Sequence, residues 1–182
     1  MNNRFNERIL LYRASRGDAE AFSPLYDAYI DKIYRFIYLK VATPQDAEDI
    51  TGETFLKVWH YVRTGKNVKY FQALLYRTAR NCVIDFYRKK GMGTIELADE
   101  TAVGVADRVD LTLEEKMNLK LDLNRVEKHL RRIKDAYREV IIMHFLNELS
   151  IKEIAAILES SPGAVRVLLH RGVKALKGMM RV

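Results

Sequence analysis

The side chains best suited to bind a charged polymer lie between Arg63 and Lys90. Arg63, Lys66, Lys69, Arg77, Arg80, Arg88, Lys89 and Lys90 are basic, Asp85 is the one acid, and Tyr70, Tyr76 and Tyr87 are interleaved among them. Cations that track phosphates and rings that stack on unpaired bases are how proteins hold single-stranded nucleic acid. Arg77, Arg80, Asn81, Ile84 and Arg88 recur at helical steps and share one side of a helix. A solvated basic helix with its tyrosines turned inward has the same spacing, and spacing alone leaves both readings open.

A second group has the opposite charge. Over Asp46–Trp59, Ala47, Ile50, Thr54 and Val58 form an apolar stripe that Phe55 and Trp59 widen. Asp46, Asp49 and Glu53 fall on another face. Asp46 and Glu48 suit the positive end of a helix dipole, but Glu53 lies too far into the helix for that. An acidic face is ill suited to a polyanion and well suited to docking a protein. Gly52 interrupts it at a local cost of about 1 kcal/mol relative to alanine, which fits a place where a partner comes close.

A third group lies near the C-terminus. Ser150-Ile151-Lys152-Glu153 is a capping box, in which the serine hydroxyl and the glutamate each satisfy an amide at the helix start. The short helix Ile151–Leu158, the turn Glu159-Ser160-Ser161 and a longer helix from Pro162 make a helix-turn-helix, with Ala155 small at the crossing. Val165, Leu169 and Leu176 face inward. From Ser161 onward there are five fixed positive charges (Arg166, Arg171, Lys174, Lys177 and Arg181) and no acid. Such a helix suits the DNA major groove. The alternative is a helical hairpin that happens to be basic.

Reaction chemistry is missing from these groups. No carboxylate pair stands out as an acid–base couple, and there is no phosphate-binding glycine loop. His60, His129, His144 and His170 are scattered, and no Cys/His cluster suggests zinc. His144 reads as a satisfied histidine in an apolar stretch, and Cys82 as a buried structural cysteine. No enzyme activity, metal or cofactor is expected.

The elements that must position these groups are helical. The chain has 182 residues, 48% hydrophobic, with three prolines and nine glycines. The net charge is +7, which points to a polyanionic partner. It is unevenly spread: Gly91–Glu115 holds seven acids against Arg108 alone. With no strong period and many small residues, that stretch reads as a flexible acidic linker. The single cysteine and the lack of a signal-peptide pattern fit a reducing, cytoplasmic compartment. No apolar run approaches the roughly 18 residues of a membrane span, so no membrane insertion is expected.

Helix signals fill in the rest. Phe5–Ser15 forms a short helix with Ile9, Leu10 and Tyr12 apolar, and Asp18 caps the next. That second helix runs through Phe22, Leu25, Tyr26, Tyr29, Ile33, Phe36 and Ile37. Thr43-Pro44 starts the acidic helix. Asn67 caps a helix over Val68–Lys90. Leu119, Leu123, Val126, Leu130 and Ile133 form a stripe, and Asp135 caps the helix after it. The fold class is all-α, with two helical domains, 1–90 and 116–182, joined by the acidic linker 91–115.

These motifs together resemble a known family. Phe22–Tyr26, Asp46–Trp59 and Leu75–Lys89 are similar to region two of bacterial RNA polymerase sigma factors, most of all the compact extracytoplasmic-function (ECF) group. Arg138–Ile141, Ser150–Ala155 and Ser161–Arg171 resemble region four. The match covers nearly the whole chain, in order.

The resemblance implies a factor that binds RNA polymerase core and directs promoter-specific initiation. Asp46, Asp49, Glu53 and Phe55 would dock on the clamp helices of the largest polymerase subunit. Lys66, Asn67, Lys69, Tyr70, Arg77, Arg80, Asn81 and Arg88 would hold the melted strand at the −10 element. Arg166, Val167, His170, Arg171 and Lys174 would read duplex DNA at the −35 element. The linker would thread toward the RNA exit path, and an anti-sigma protein would be a further partner. Leu74, Gly52, Val167, Leu168 and Glu159 depart from the usual pattern. A stand-alone helix-turn-helix regulator, or an interaction protein without DNA binding, would leave one or two of the three groups unused.

Overall fold

In the computed structural model, residues 3–91 and 123–180 are described, and the chain divides into two units, Met1–Lys90 and Gly91–Val182. Every regular element among the described residues is helical. The acidic stretch from residue 92 on, the proposed domain start at 116, and Leu119 lie outside the described residues.

The first unit contains α1 (Asn3–Ser15), α2 (Ser23–Tyr38), α3 (Pro44–Arg63) and α4 (Phe71–Lys89). α3 packs against both α2 and α4, and α1 lies across α2 and α3. Ala47, Ile50, Thr54, Phe55, Val58 and Val62 bury one side of α3. They meet Leu25, Ile33, Phe36 and Ile37 of α2 and Phe71, Leu75, Tyr76, Ala79, Cys82 and Val83 of α4. Aromatic rings bind the three helices together. Phe22 lies 4.9 Å from Trp59 and 6.2 Å from Phe71, centroid to centroid, and Tyr26 lies 4.7 Å from Phe55. Such pairs add to the area they bury. Thr51 and Thr54 are buried without orphaned hydroxyls, since each donates to the carbonyl four residues back, at 2.6 and 2.7 Å.

The Thr43 cap forms as expected: its hydroxyl accepts from the Asp46 amide at 3.0 Å, with proline in the first turn. Gly65, at φ +73, ends α3 in the left-handed conformation that glycine adopts without steric cost.

Several local expectations change. In α1 the core-facing residues are Leu11 and Ala14, whereas Ile9 and Tyr12 are exposed. Asp18 does not cap α2. It accepts from the Ala21 amide at 3.1 Å and pairs with Arg13 at 2.8 Å, closing the turn before the helix. Nor does Asn67 cap α4, which begins at Phe71 after the N-cap Tyr70, with no side-chain cap bond. Burying Phe71 fixes that start, and residues 64–70 become a loop.

The second unit contains α5 (Leu123–Leu130), α6 (Asp135–Ile141), α7 (Ile151–Ile157) and α8 (Pro162–Met180). α6 runs on into a π-helical segment, Ile142–Leu146. α8 packs against α5, α6 and α7. Leu130 and Ile133 are buried as their stripe requires. Asp135 is the first residue of α6 rather than its cap, which is Lys134, with no side-chain cap bond. The order at this junction comes from Arg138, the first residue of the Arg138–Ile141 motif. Its guanidinium donates to the carbonyls of Leu130 at 2.8 Å, Arg131 at 3.0 Å and Ile133 at 3.1 Å, satisfying groups that the end of α5 leaves open.

The helix-turn-helix is built as its capping signals demand. The Ser150 amide donates to Glu153 at 2.9 Å, and the Glu153 amide to the Ser150 hydroxyl oxygen at 3.3 Å. Glu159 turns the chain at φ +53, a conformation that favours glycine. Ser161 caps α8 by accepting from the Ala164 amide at 3.1 Å. His144 is half-buried, with Nδ1 2.8 Å from the Leu149 carbonyl, and Cys82 is buried. A Cβ on Gly172 would sit 3.1 Å from both Ile141 Cδ1 and Tyr137 Cβ, so α6 and α8 cross where α8 has no side chain.

Substituting Gly172→Leu therefore overpacks the crossing and is expected to cost about 1–3 kcal/mol in urea unfolding of the full chain. Phe55→Ala is expected to cost about 3–5 kcal/mol in the same measurement, because it empties a core position.

Candidate nucleic-acid and protein interfaces

The acidic face of α3 is less uniform than its sequence. Asp49 is exposed, as is the neighbouring Glu48. Glu53 pairs with Lys57 at 2.8 Å, so part of its charge is met within the helix. Asp46 is occupied at both oxygens: one accepts from the Thr43 hydroxyl at 2.7 Å and the other meets Lys90 Nζ at 3.2 Å. The Thr43 hydrogen bond first, and Lys90 after it, hold the Asp46 carboxyl below the usual carboxylate range. Asp46 thus has a structural task where α4 ends against the start of α3. Phe55, expected among the docking residues, is 4% exposed beneath Tyr26 and supports the face from below rather than lying on it.

The same helix carries a feature that charge patterning misses. Leu56 is 56% exposed. The buried stripe of α3 lies on the opposite side, so Leu56 projects outward beside Asp49 and Gly52. A large apolar residue on the polar side of an amphipathic helix is the signal that could have found it.

On α4, burial of Phe71, Leu75, Ala79, Cys82 and Val83 turns Arg77, Asn81, Ile84 and Arg88 to the other side. Arg77 and Arg80 are half-buried, while Asn81 and Arg88 are exposed. Arg88 pairs with Asp85 at 2.9 Å. In the loop before α4, Lys66, Asn67, Lys69 and Tyr70 are all exposed. Lys66 Nζ lies 5.4 Å from the Tyr61 ring, a contact that holds the loop to the end of α3, and within α3 the terminal Arg63 lies over Trp59 at 5.7 Å. The three interleaved tyrosines separate. Tyr70 is 68% exposed, but Tyr76 is fully buried, 5.2 Å from Phe36, and Tyr87 donates to the Lys40 carbonyl at 2.9 Å. Of these three, Tyr70 has its ring open for stacking.

On α8, Val165, Leu169, Gly172, Val173 and Leu176 are buried. The opposite side carries Gly163, Val167, His170, Arg171 and Lys174, with Arg166 flanking it. Arg166, His170 and Lys174 are exposed, and Val167 and Arg171 are half-buried. This helix can place cations and one apolar side chain in a groove about one helix wide.

The one cysteine of the chain, Cys82, is buried, and burial raises its thiol above its ordinary pKa. Among the described residues, no three or more His, Cys, Asp or Glu side chains gather as metal ligands, and no helix is long and apolar enough to cross a membrane.

Comparison with known proteins joins these surfaces to a family. The model for Sigma-70 region 2 matches residues 25–92, and that for Sigma-70 region 4 matches residues 123–176. The ECF RNA polymerase sigma factor SigW of Bacillus subtilis is 32% identical over 175 residues, covering 93% of this chain and 94% of the relative. The RNA polymerase sigma factor CnrH of Cupriavidus metallidurans is 28% identical over 186 residues, covering 99% and 97%. The fold is shared with CnrH solved in complex with the cytosolic domain of CnrY, at a TM-score of 0.72 and 24% identity over 97% of both chains. It is shared too with the sigma factor RpoE solved with the anti-sigma factor NepR from Bartonella quintana, at a TM-score of 0.67 and 21% identity, covering 90% and 99%. α3 and α4 fall in region 2, and the helix-turn-helix of α7 and α8 in region 4. With both regions matched in order and a relative about a third identical along nearly its whole length, the chain belongs to the ECF group of the sigma-70 family and acts as a promoter-specific transcription initiation factor.

Proposed function

We propose that this sigma factor divides initiation among its three surfaces. The acidic side of α3, through Asp49 and Glu53, docks on the clamp helices of the largest polymerase subunit. Arg63, the loop 64–70 and the outward side of α4 hold the non-template strand at the −10 element, with Tyr70 as the stacking ring and Arg77, Arg80, Asn81 and Arg88 as polar contacts. α8 enters the major groove at the −35 element, with Arg166, Val167, His170, Arg171 and Lys174 presented to the duplex. The observation that carries this reading is the separation of charge within one helical unit. α3 turns carboxylates outward while α4 and its loop turn cations outward, so the unit has one side for a protein and another for a polyanion.

The mechanism needs no reaction of its own. Duplex contacts position the complex, and capture of unpaired bases offsets the few kcal/mol that unstacking each one costs. The domains in this reading are 1–90 and 116–182, with the acidic linker 91–115 directed to the RNA exit path. The protein works in the cytoplasm. RpoE solved with the anti-sigma factor NepR, and CnrH solved with the cytosolic domain of CnrY, support an anti-sigma partner here as well.

Transcription with purified core on a promoter library, followed by sequencing of the starts, tests the whole reading. Starts should share two elements, and a protein that gives none with core enzyme is not acting as a sigma factor. Glu53→Arg should weaken core binding and leave DNA binding by the second unit unchanged, as read by titration of each ligand. Arg171→Ala should reduce discrimination at −35 by about 1–3 kcal/mol, measured as relative run-off from mutated elements, and should leave −10 preference alone.

A further inference from the structure

Gly52 is the ninth residue of α3, exposed and inside the helix. Four other glycines have internal reasons for being glycine, whereas Gly178 is, like Gly52, helical and open. Gly17, Gly65 and Gly91 take positive φ, and Gly172 lies where another helix crosses at 3.1 Å. A Cβ built on Gly52 meets nothing within 4 Å, and its backbone does not lie in the left-handed region. Among the described residues nothing requires glycine there, although alanine would make a better helix.

Its surroundings suggest what does. Gln45, Asp49, Gly52, Leu56 and His60 follow one another at steps of four, three, four and four, which makes a stripe along the side of α3 opposite the buried one. All five are exposed. Spacing of this kind is a seam that receives another helix, and a position without a side chain along it is where two helix axes can approach most closely. Leu56, one turn further on, is the large apolar side chain of the seam. Glu48, Asp49 and Glu53 border it, so the approaching surface should be basic.

We propose that Gly52 is the point of closest approach between this protein and the polymerase. There a side chain of a basic polymerase helix enters the notch over Gly52 and packs against Leu56. Phe55 and Asp46, both held inside the unit, are left to support the seam. The inference rests on the docking role of α3 proposed above and adds the notch and its apolar wall.

The test uses the full chain with purified core enzyme. Core affinity is measured by competition against labelled wild type, and thermal midpoint is measured on the same samples. Gly52→Ala should raise the midpoint and lower core affinity, and Gly52→Leu should lower affinity further, on the order of tenfold or more, equivalent to about 1.4 kcal/mol. Leu56→Lys should lower affinity while leaving the midpoint near that of wild type, since its side chain is exposed. Gly178→Ala serves as the control, because Gly178 is also a helical glycine with nothing within 4 Å of an added Cβ. It should leave core affinity unchanged. Wild-type affinity in all three seam variants would overturn the inference. If Asp49→Arg still weakened binding in that case, the docking role of α3 would stand and only the notch would fail. If wild type itself did not bind core, the docking role would fail first.

Discussion

The first unit depends on α3 lying between α2 and α4. Seven residues of that helix are buried, and they must all face the same side. This orients every other residue of α3: once Ala47, Ile50, Thr54 and Val58 point inward, Asp49, Gly52 and Leu56 have to point outward. The same packing orients α4. Phe71, Leu75, Ala79 and Val83 are drawn against α3 and α2, and Arg77, Asn81 and Arg88 are left on the other side. Apolar burial therefore decides where the charges are presented, although the charges contribute little to holding the helices together.

That arrangement suits a protein that must bind a polyanion and another protein at once. Acidic side chains on the nucleic-acid surface would weaken binding through the whole range of the screened field. The outward side of α4 carries cations, and the one acid of that helix, Asp85, is paired with Arg88 at 2.9 Å. Where the two charge sets meet, they neutralise each other: Asp46 of α3 joins Lys90 at the end of α4. The second unit needs no such separation. α8 turns one apolar side into the unit and cations outward, and from Ser161 onward the sequence carries no acid.

Much of this was legible in the order of residues. The stripe on α3, the Thr43-Pro44 start, the Ser150–Glu153 capping box and the Ser161-Pro162 start all depend on neighbours within four positions, and all four form. The reading failed where distant residues compete. Asn67 is a good cap in isolation, but burying Phe71 against Phe22 and Tyr29 places the helix start elsewhere. Tyr76 looks like its neighbour Tyr70, yet one is sealed against Phe36 and the other exposed. Phe55 belongs to the docking helix but turns inward to Tyr26. Arg138 gives no local sign that it will close the end of α5.

The sequence by itself determined the helices, the caps at Thr43, Ser150 and Ser161, the distribution of charge and the order of motifs that marks the family. Each is set by covalent neighbours or by periodicity, which folding does not rearrange. Only the tertiary structure decided which members of a motif reach the surface. Exposure depends on the helix packed opposite, and that helix can be anywhere in the chain. Hence Tyr70 stays open and Tyr76 does not, Asp46 is tied to Lys90 while Asp49 is exposed, and the open space around Gly52 can be told apart from the crowded crossing at Gly172.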